Sequence, residues 1–392
     1  KLASFAAEPH DVPVTLGRPT DIRVSDGTVH VAGVTLTTGQ GSIVIDGTAG
    51  KTLNLAAKIT DLPASLANAF AKDLDAAGTI SANATVTGEA ASPSVQFDAD
   101  IRDIATRQTR NAQLPELTIA AKGSFANNQL SLDATSIIRQ QPASVAATVK
   151  LDNDAVSIPS FTADIGASSF SGHLALDGKF QPSGQIAFDI ADANALASIV
   201  GRKAEGAVKG TIDIASMDGR IDAKVDASGT IRNQAIKALV EASLQNGAVA
   251  LPSLKVDVGR NTFAGAVTLD DTFLPSGKVS FDLPDIALLA AMAGQKAEGA
   301  VKGAVDIASA NGRVDAKVTA KGTINGQPID LQTDLVSDKG AISLPSVLAK
   351  IGPNTLSAAL TLGKDFLPSG RLTFDLPDLS RLAAMAGQKA EG

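Results

Sequence analysis

The chain has 392 residues, a net charge of −7, 44% hydrophobic residues and only 3% aromatic ones, all thirteen of them Phe. An acidic balance offers no basic face for nucleic acid, and no run reaches the roughly 18 consecutive apolar residues of a membrane-spanning helix. Zero cysteine excludes disulfides and thiolate chemistry, and Lys1 is followed at once by mixed sequence rather than by the apolar core of a secretion signal.

Internal repetition is the informative feature. FQPSG at Phe180–Gly184 returns as FLPSG at Phe273–Gly277 and at Phe366–Gly370, both steps being 93 residues. The same step carries Pro159-Ser160 to Pro252-Ser253 and Pro345-Ser346, and KAEG from Lys203 to Lys296 and Lys389. Upstream, Asp61-Leu62-Pro63 and Gly78 match Asp282-Leu283-Pro284 and Gly299. That copy lies 128 residues before the next, so it carries about 35 more than the common step. The expected units are 1–77, the C-terminal part of an upstream repeat, then 78–205 with its extra residues, 206–298 and 299–392. A chain that stops on a unit boundary is expected to be a piece of a longer protein.

In chain order, the first two segments show alternating runs at Thr28–Ala32 and Ser171–Leu176, the pattern of half-buried strands. In the 206–298 unit, Asp218-Gly219 predicts a hairpin in which Ile214 meets Ala223, Ile212 meets Val225 and Asp213 meets Lys224. Residues Pro284–Ala293 predict a short helix with Asp285 as its cap and Gly294 at the C′ position, where Gly201 and Gly387 stand in the neighbouring units. The 299–392 unit repeats the hairpin about Asn311-Gly312. Two-residue turns of this kind set the register, so Ile307 should face Ala316, Val305 Val318 and Asp306 Lys317. Strands should follow at Gln327–Val336, Ala341–Ile351, Asn354–Gly363 and Arg371–Leu376, then a helix at Pro377–Ala386. A unit is thus five or six antiparallel strands and a short helix. About 20–24 strands spaced about 4.8 Å apart would make an elongated array on the order of 100 Å long.

A sheet with one apolar face must cover it. Either two sheets pack into a filled sandwich or solenoid, or one curved sheet folds over and encloses a groove. Inward positions are mostly Val, Ala, Ile, Leu and Gly, with few of the large rings that fill a sandwich core. The expected class is therefore all-β with short helices, a curved, folded-over antiparallel sheet around a hydrophobic groove. Its lining should include Val208, Ile212, Ile214, Ile221, Val225, Val279 and Phe281 in the 206–298 unit. In the last unit it should include Val301, Val305, Ile307, Val314, Val318, Leu372 and Phe374.

No catalytic, metal or cofactor site is expected. His10, His30 and His173 are scattered, and the last two fall at solvent-facing places in alternating runs. Asp270-Asp271 lies where a turn is expected, and turns favour Asp. No glycine-rich loop leads from a strand into a helix to cradle phosphate. Lys203, Lys296 and Lys389 recur behind each helix, where the helix dipole favours a lysine; the functional alternative is a phosphate headgroup contact at the groove mouth.

The segment Thr87–Ile104, TGEAASPSVQFDADIRDI, resembles a strand pair common in AsmA-like envelope proteins. FDLPDLSRLAAMAG at Phe374–Gly387, with its copy at Phe281–Gly294, is similar to repeats of the TamB family, the inner-membrane component of the translocation and assembly module. LPASLANAF at Leu62–Phe70 reads the same way. The likeness covers nearly the whole chain, rests on repeat texture rather than an invariant motif, and has the Ala-rich style of an alphaproteobacterial member. It implies a β-taco that crosses the periplasm from an inner-membrane anchor and carries phospholipid acyl chains toward the outer membrane. It also implies a TamA-type outer-membrane partner, and both anchor and partner contacts are expected outside this chain. Two other functions fit the residues: a scaffold that pairs its sheet edges with incoming outer-membrane strands, and a surface adhesin built as a filled β-solenoid. An outer-membrane barrel fits poorly, because such barrels carry aromatic girdles.

Overall fold

The computed structural model describes residues 2–8, 13–69, 72–152, 154–338, 341–362 and 367–380. The chain is all-β with a few short helices, and it divides into two compact units, residues 1–207 and 208–392. Each unit contains an open antiparallel sheet in which consecutive strands are neighbours.

The first unit opens with three short strands, β1 (Ala6–Ala7), β2 (Val14–Leu16) and β3 (Ile22–Ser25). β2 and β3 share one edge of β4 (Thr28–Thr38), β3 along its first half and β2 along its second. From β4 onward each strand pairs with the next: β5 (Gly41–Ala49), β6 (Thr52–Pro63), β7 (Ala77–Glu89) and β8 (Ser92–Ala105). Helix α1 (Arg107–Asn111) precedes β9 (Leu117–Ala126), β10 (Gln129–Ile138), β11 (Gln141–Asp152), β12 (Ala155–Ile165), β13 (Ser168–Leu176) and β14 (Pro182–Ile190). Helix α2 (Ala193–Ile199) follows, and β15 (Gly206–Met217) crosses the division between the units.

In the second unit the ladder runs through β16 (Arg220–Ile231), β17 (Gln234–Gln245), β18 (Ala248–Val258), β19 (Asn261–Leu269) and β20 (Pro275–Leu283). After helix α3 (Ile286–Met292) it continues through β21 (Gly299–Ala310), β22 (Arg313–Ile324), β23 (Gln327–Asp338), β24 (Ala341–Ile351), β25 (Asn354–Leu362) and β26 (Pro368–Asp375). Six strands and a helix thus make one unit of the repeat, β15 to β20 with α3. The 78–205 segment holds eight strands, and its surplus is the hairpin β7–β8 with α1.

The 93-residue step is visible in the ladder itself. Register shifts fall between Ile158 and Phe161, between Leu251 and Leu254, and between Leu344 and Val347. Each shift contains a repeated Pro-Ser pair, because a proline cannot donate to the ladder and sits well in a bulge. The turn expectations hold as well. Asn311 and Gly312 have φ of 54° and 78°, and Asp218 and Gly219 have 50° and 79°, the positive values a type I′ turn requires. Val305 pairs with Val318, Asp306 with Lys317 and Ile307 with Ala316. The strand expected to start at Arg371 begins three residues earlier, at Pro368, and ends at Asp375.

The glycine of each FxPSG landmark lets the backbone make a conformation other residues avoid. Gly277 has a φ of +143°, and a Cβ there would lie 2.2 Å from the Ala266 carbonyl oxygen. Gly184 and Gly370 repeat this geometry.

Helix α3 is capped by Asp285, whose carboxylate accepts from the Leu288 amide at 3.3 Å, and is followed by Gly294 at a φ of +71°. Its Ile286 packs with Val301 and Ala320, joined by Phe281, Leu283, Ile324, Ile329 and Leu331. The helix is therefore a lid over one end of the apolar face. Of the second expected helix, Pro377–Ala386, residues beyond Ser380 lie outside the described residues, as do His10, Phe366, Gly387 and Lys389.

Candidate functional site

The alternation of side chains converts the ladder into rows. In the second unit one row passes through Val225, Val240, Leu254, Gly265, Val279, Val305, Val318, Thr333, Val347, Ala358 and Leu372, one residue from each strand β16 to β26. Only Thr333 in this row carries a polar side chain. Ten strand spacings of about 4.8 Å give it a length of about 48 Å. A parallel row carries Phe263, Phe281, Gly303, Ala320, Leu331, Ala349, Leu356 and Phe374.

The expected lining residues Val225, Val279, Val305, Val318 and Leu372 stand on the first row, and Phe281 and Phe374 on the second. Ile221, Val301, Ile307 and Val314 share the same face by register. Val208, Ile212 and Ile214 lie half-buried on β15.

The structure also divides this set. Val301 lies beneath α3 and is only 7% exposed, so it belongs to a small closed core. Val279, Val305 and Val318 lie beyond that core and are half-buried. Leu372 and Phe374 stand on β26, the last described strand, and are 54% and 61% exposed. Among the described residues just nine hydrophobic ones are buried, at 3–9% exposure. A filled two-sheet core would bury far more of a chain that is 44% hydrophobic.

The opposite face carries ion pairs between strands. Lys278 meets Asp306 at 3.1 Å, Lys302 meets Asp282 at 2.8 Å, and Lys321 meets Asp330 at 3.0 Å. The hydrogen bond from Lys321 holds the Asp330 carboxyl below its ordinary range, and that from Arg313 does the same for Asp315. A cavity of about 730 Å³ opens on this face among Lys278, Asp306, Arg313, Asp315, Lys317 and Asp334. Its copy one repeat earlier, about 320 Å³, is lined by Asp213, Arg220, Asp222, Lys224 and Glu241. Both signs alternate in each, which suits mutual pairing: the larger cavity has three bases against three acids, and its copy two bases against three acids. The sequence signal for these cavities is the alternation itself, which places the charged residues of neighbouring strands on one face.

His30 and His173 are exposed on β4 and β13, as alternation predicts. Asp270 accepts from the Thr272 and Leu274 amides and so shapes its turn, as Asp177 does for Lys179 and Gln181. Lys203 and Lys296 are exposed behind their helices.

Sequence reasoning missed one structural pair. Asn261 is fully buried, donates to the Asp285 carbonyl at 2.8 Å and accepts from the Asp285 amide at 3.1 Å. Asn354 does the same with Asp378 at 2.9 and 3.0 Å. The two lie one repeat apart, and that spacing was the signal available. Scanning against protein-family models finds no match, and no curated protein matches the sequence.

Proposed function

We propose that the apolar face binds lipid acyl chains, and that the chain serves as part of a periplasmic conduit moving phospholipid between the inner and outer membranes. The observation that carries this reading is the apolar row from Val225 to Leu372, interrupted only by Thr333, in a sheet with no second sheet packed on it among the described residues of its unit. Hydrocarbon is the natural cover for a long surface of small aliphatic side chains, because burying such surface yields about 25 cal/mol per Å².

Curvature would turn the face into a groove. Sheets bend at bulges and strand glycines, and Gly265, Gly277 and Gly303 all fall on the apolar face by register. Missing side chains on that face leave room for it to become the inner one. In this reading α3 closes one end over Phe281 and Val301, and acyl chains lie along Val279, Val305 and Val318. The resemblance to TamB-family repeats supports the same function, with an inner-membrane anchor and a TamA-type partner supplied outside these residues.

A photo-crosslinking residue at Val318 should capture phospholipid, while the same probe at neighbouring Lys317 should not. Val318→Asp should abolish capture at Val305 as well, because an uncompensated charge among hydrocarbon is costly. Equal capture on both faces, or capture on neither, overturns the conduit. A scaffold that pairs its sheet edges with incoming outer-membrane strands is the second reading.

A further inference from the structure

Helices α2 and α3 stand at the same place of the repeat, 93 residues apart, but their first halves differ. Ile286, which packs with Val301 and Ala320, corresponds to Ala193. Leu288 corresponds to Ala195. The Leu288 side chain lies so close over Gly259 that a Cβ there would be 2.7 Å from it, whereas a Cβ on Gly166 would meet only Gln141. Asn261, which holds the start of α3, corresponds to Ser168, whose buried hydroxyl has no partner. All three replacements are smaller, and all three act on the first half of the helix.

The second halves agree. Arg139 donates to the Ser198 carbonyl at 3.1 Å, as Arg232 does to that of Met292. Both arginines keep this tie from a left-handed backbone, at φ of 45° and 47°, which glycine or asparagine would adopt with less strain. Ile199 is 5% exposed, and Gly201 and Gly294 follow their helices at φ of 69° and 71°. Among the described residues α2 is thus tied to the sheet at its C-terminal end, and α3 at both ends.

We propose that α2 is a lid that opens from its N-terminal end, with Val200 and Gly201 as the hinge, and that acyl chains enter the apolar face of the first unit there. Hinges are a few element-terminal residues that absorb a backbone change, and a helix with few apolar anchors belongs to the low-stability part of a fold. The face it guards is continuous. Phe97, Leu132, Phe161 and Ile186 stand on one row of the first unit, with only glycine and alanine between them. Val145, two residues nearer the Arg139 turn than that row, is 42% exposed, an apolar side chain already open. The entry of acyl chains rests on the function proposed above, whereas the opening of α2 does not.

Hydrogen exchange of the full chain without lipid tests the lid. So short a helix does not persist off the sheet, so opening exposes its amides. We expect Ala197, Ser198 and Ile199 to exchange about tenfold faster than Ala290, Ala291 and Met292. Equal or slower exchange overturns the proposal. Ala195→Leu gives α2 the anchor that Leu288 gives α3 and should slow that exchange, and Ser168→Asn should do so through Asp192. Exchange unmoved by either variant also overturns the lid. A photo-crosslinking residue at Val145 should capture phosphatidylcholine from vesicles, and capture should slow by the same factor as exchange in the pinned variant. Slowed exchange with an unchanged rate of capture overturns entry at α2. Capture at neither Val145 nor Val318 removes the acyl reading and the entry with it, while the exchange rates still decide the lid.

Discussion

One position of the repeat is solved in two ways. In the second unit it is Asn261, which holds both the amide and the carbonyl of Asp285 at the start of α3. In the first unit it is Ser168, 93 residues earlier, equally buried at 1% exposure but with its hydroxyl unpartnered. Serine is too short to span the gap that the asparagine amide fills. Burial at this position is thus a property of the fold, while the tie between strand and helix is a property of the side chain. The α3 end of the apolar face is fastened by two hydrogen bonds that the α2 end lacks.

Breaking the fastened copy should have the largest effect. Asn261→Ala removes the side-chain partner of the amide and carbonyl of half-buried Asp285, and a fully buried orphaned group would cost about 1–3 kcal/mol. Hydrogen exchange should show α3 and the start of β21 opening first, while β9 to β14 stay protected. Uniform loss of protection across both units would show that the clamp does not act locally.

Mending the open copy is the converse and should be smaller. Ser168→Asn should let the amide reach the backbone of Asp192, the cap of α2. A net hydrogen bond contributes about 1 kcal/mol, so the first unit should unfold at higher urea. A lower midpoint would mean that the site is too tight for the larger side chain.

Acid should not distinguish the copies. Asp177 and Asp270 have carboxyls held below the usual 3.8, chiefly by the Gln181 amide in one turn and the Leu274 amide in the other. A depressed folded-state value contributes stability above the unfolded value and loses it as pH falls through the folded one. The two turns should therefore keep their order at neutral pH and loosen together below about pH 3.8, a small effect at exposed sites. Amide resonances of Lys179 and Leu274 shifting at widely different pH would separate turns that share one design.

Much of the fold is written in neighbouring residues. Strand alternation, the Asn311-Gly312 and Asp218-Gly219 turns, the Asp285 cap and the C′ glycines depend on contacts within a few positions, so the hairpin register about Asn311-Gly312 followed directly from the sequence. The 93-residue period also marked the bulges, although as a repeated Pro-Ser pair whose geometry the letters do not state. The choice of face was legible too, since alternation puts Val305 and Val318 together whatever the wider structure does.

Tertiary structure decided what happens to each part of that face. Val301 and Val305 are four residues apart on one strand and identical in type, yet the first is closed under Ile286 and the second lies beyond that core. Which is covered depends on where a helix between two strands comes to rest, and a short all-apolar segment has no periodic signal for that. Phe281 and Phe374 likewise share their repeat position and differ in exposure, because Phe281 has strands on both sides and Phe374, among the described residues, on one. Local sequence determines which side chains point together; only packing at a distance determines which of them remain open.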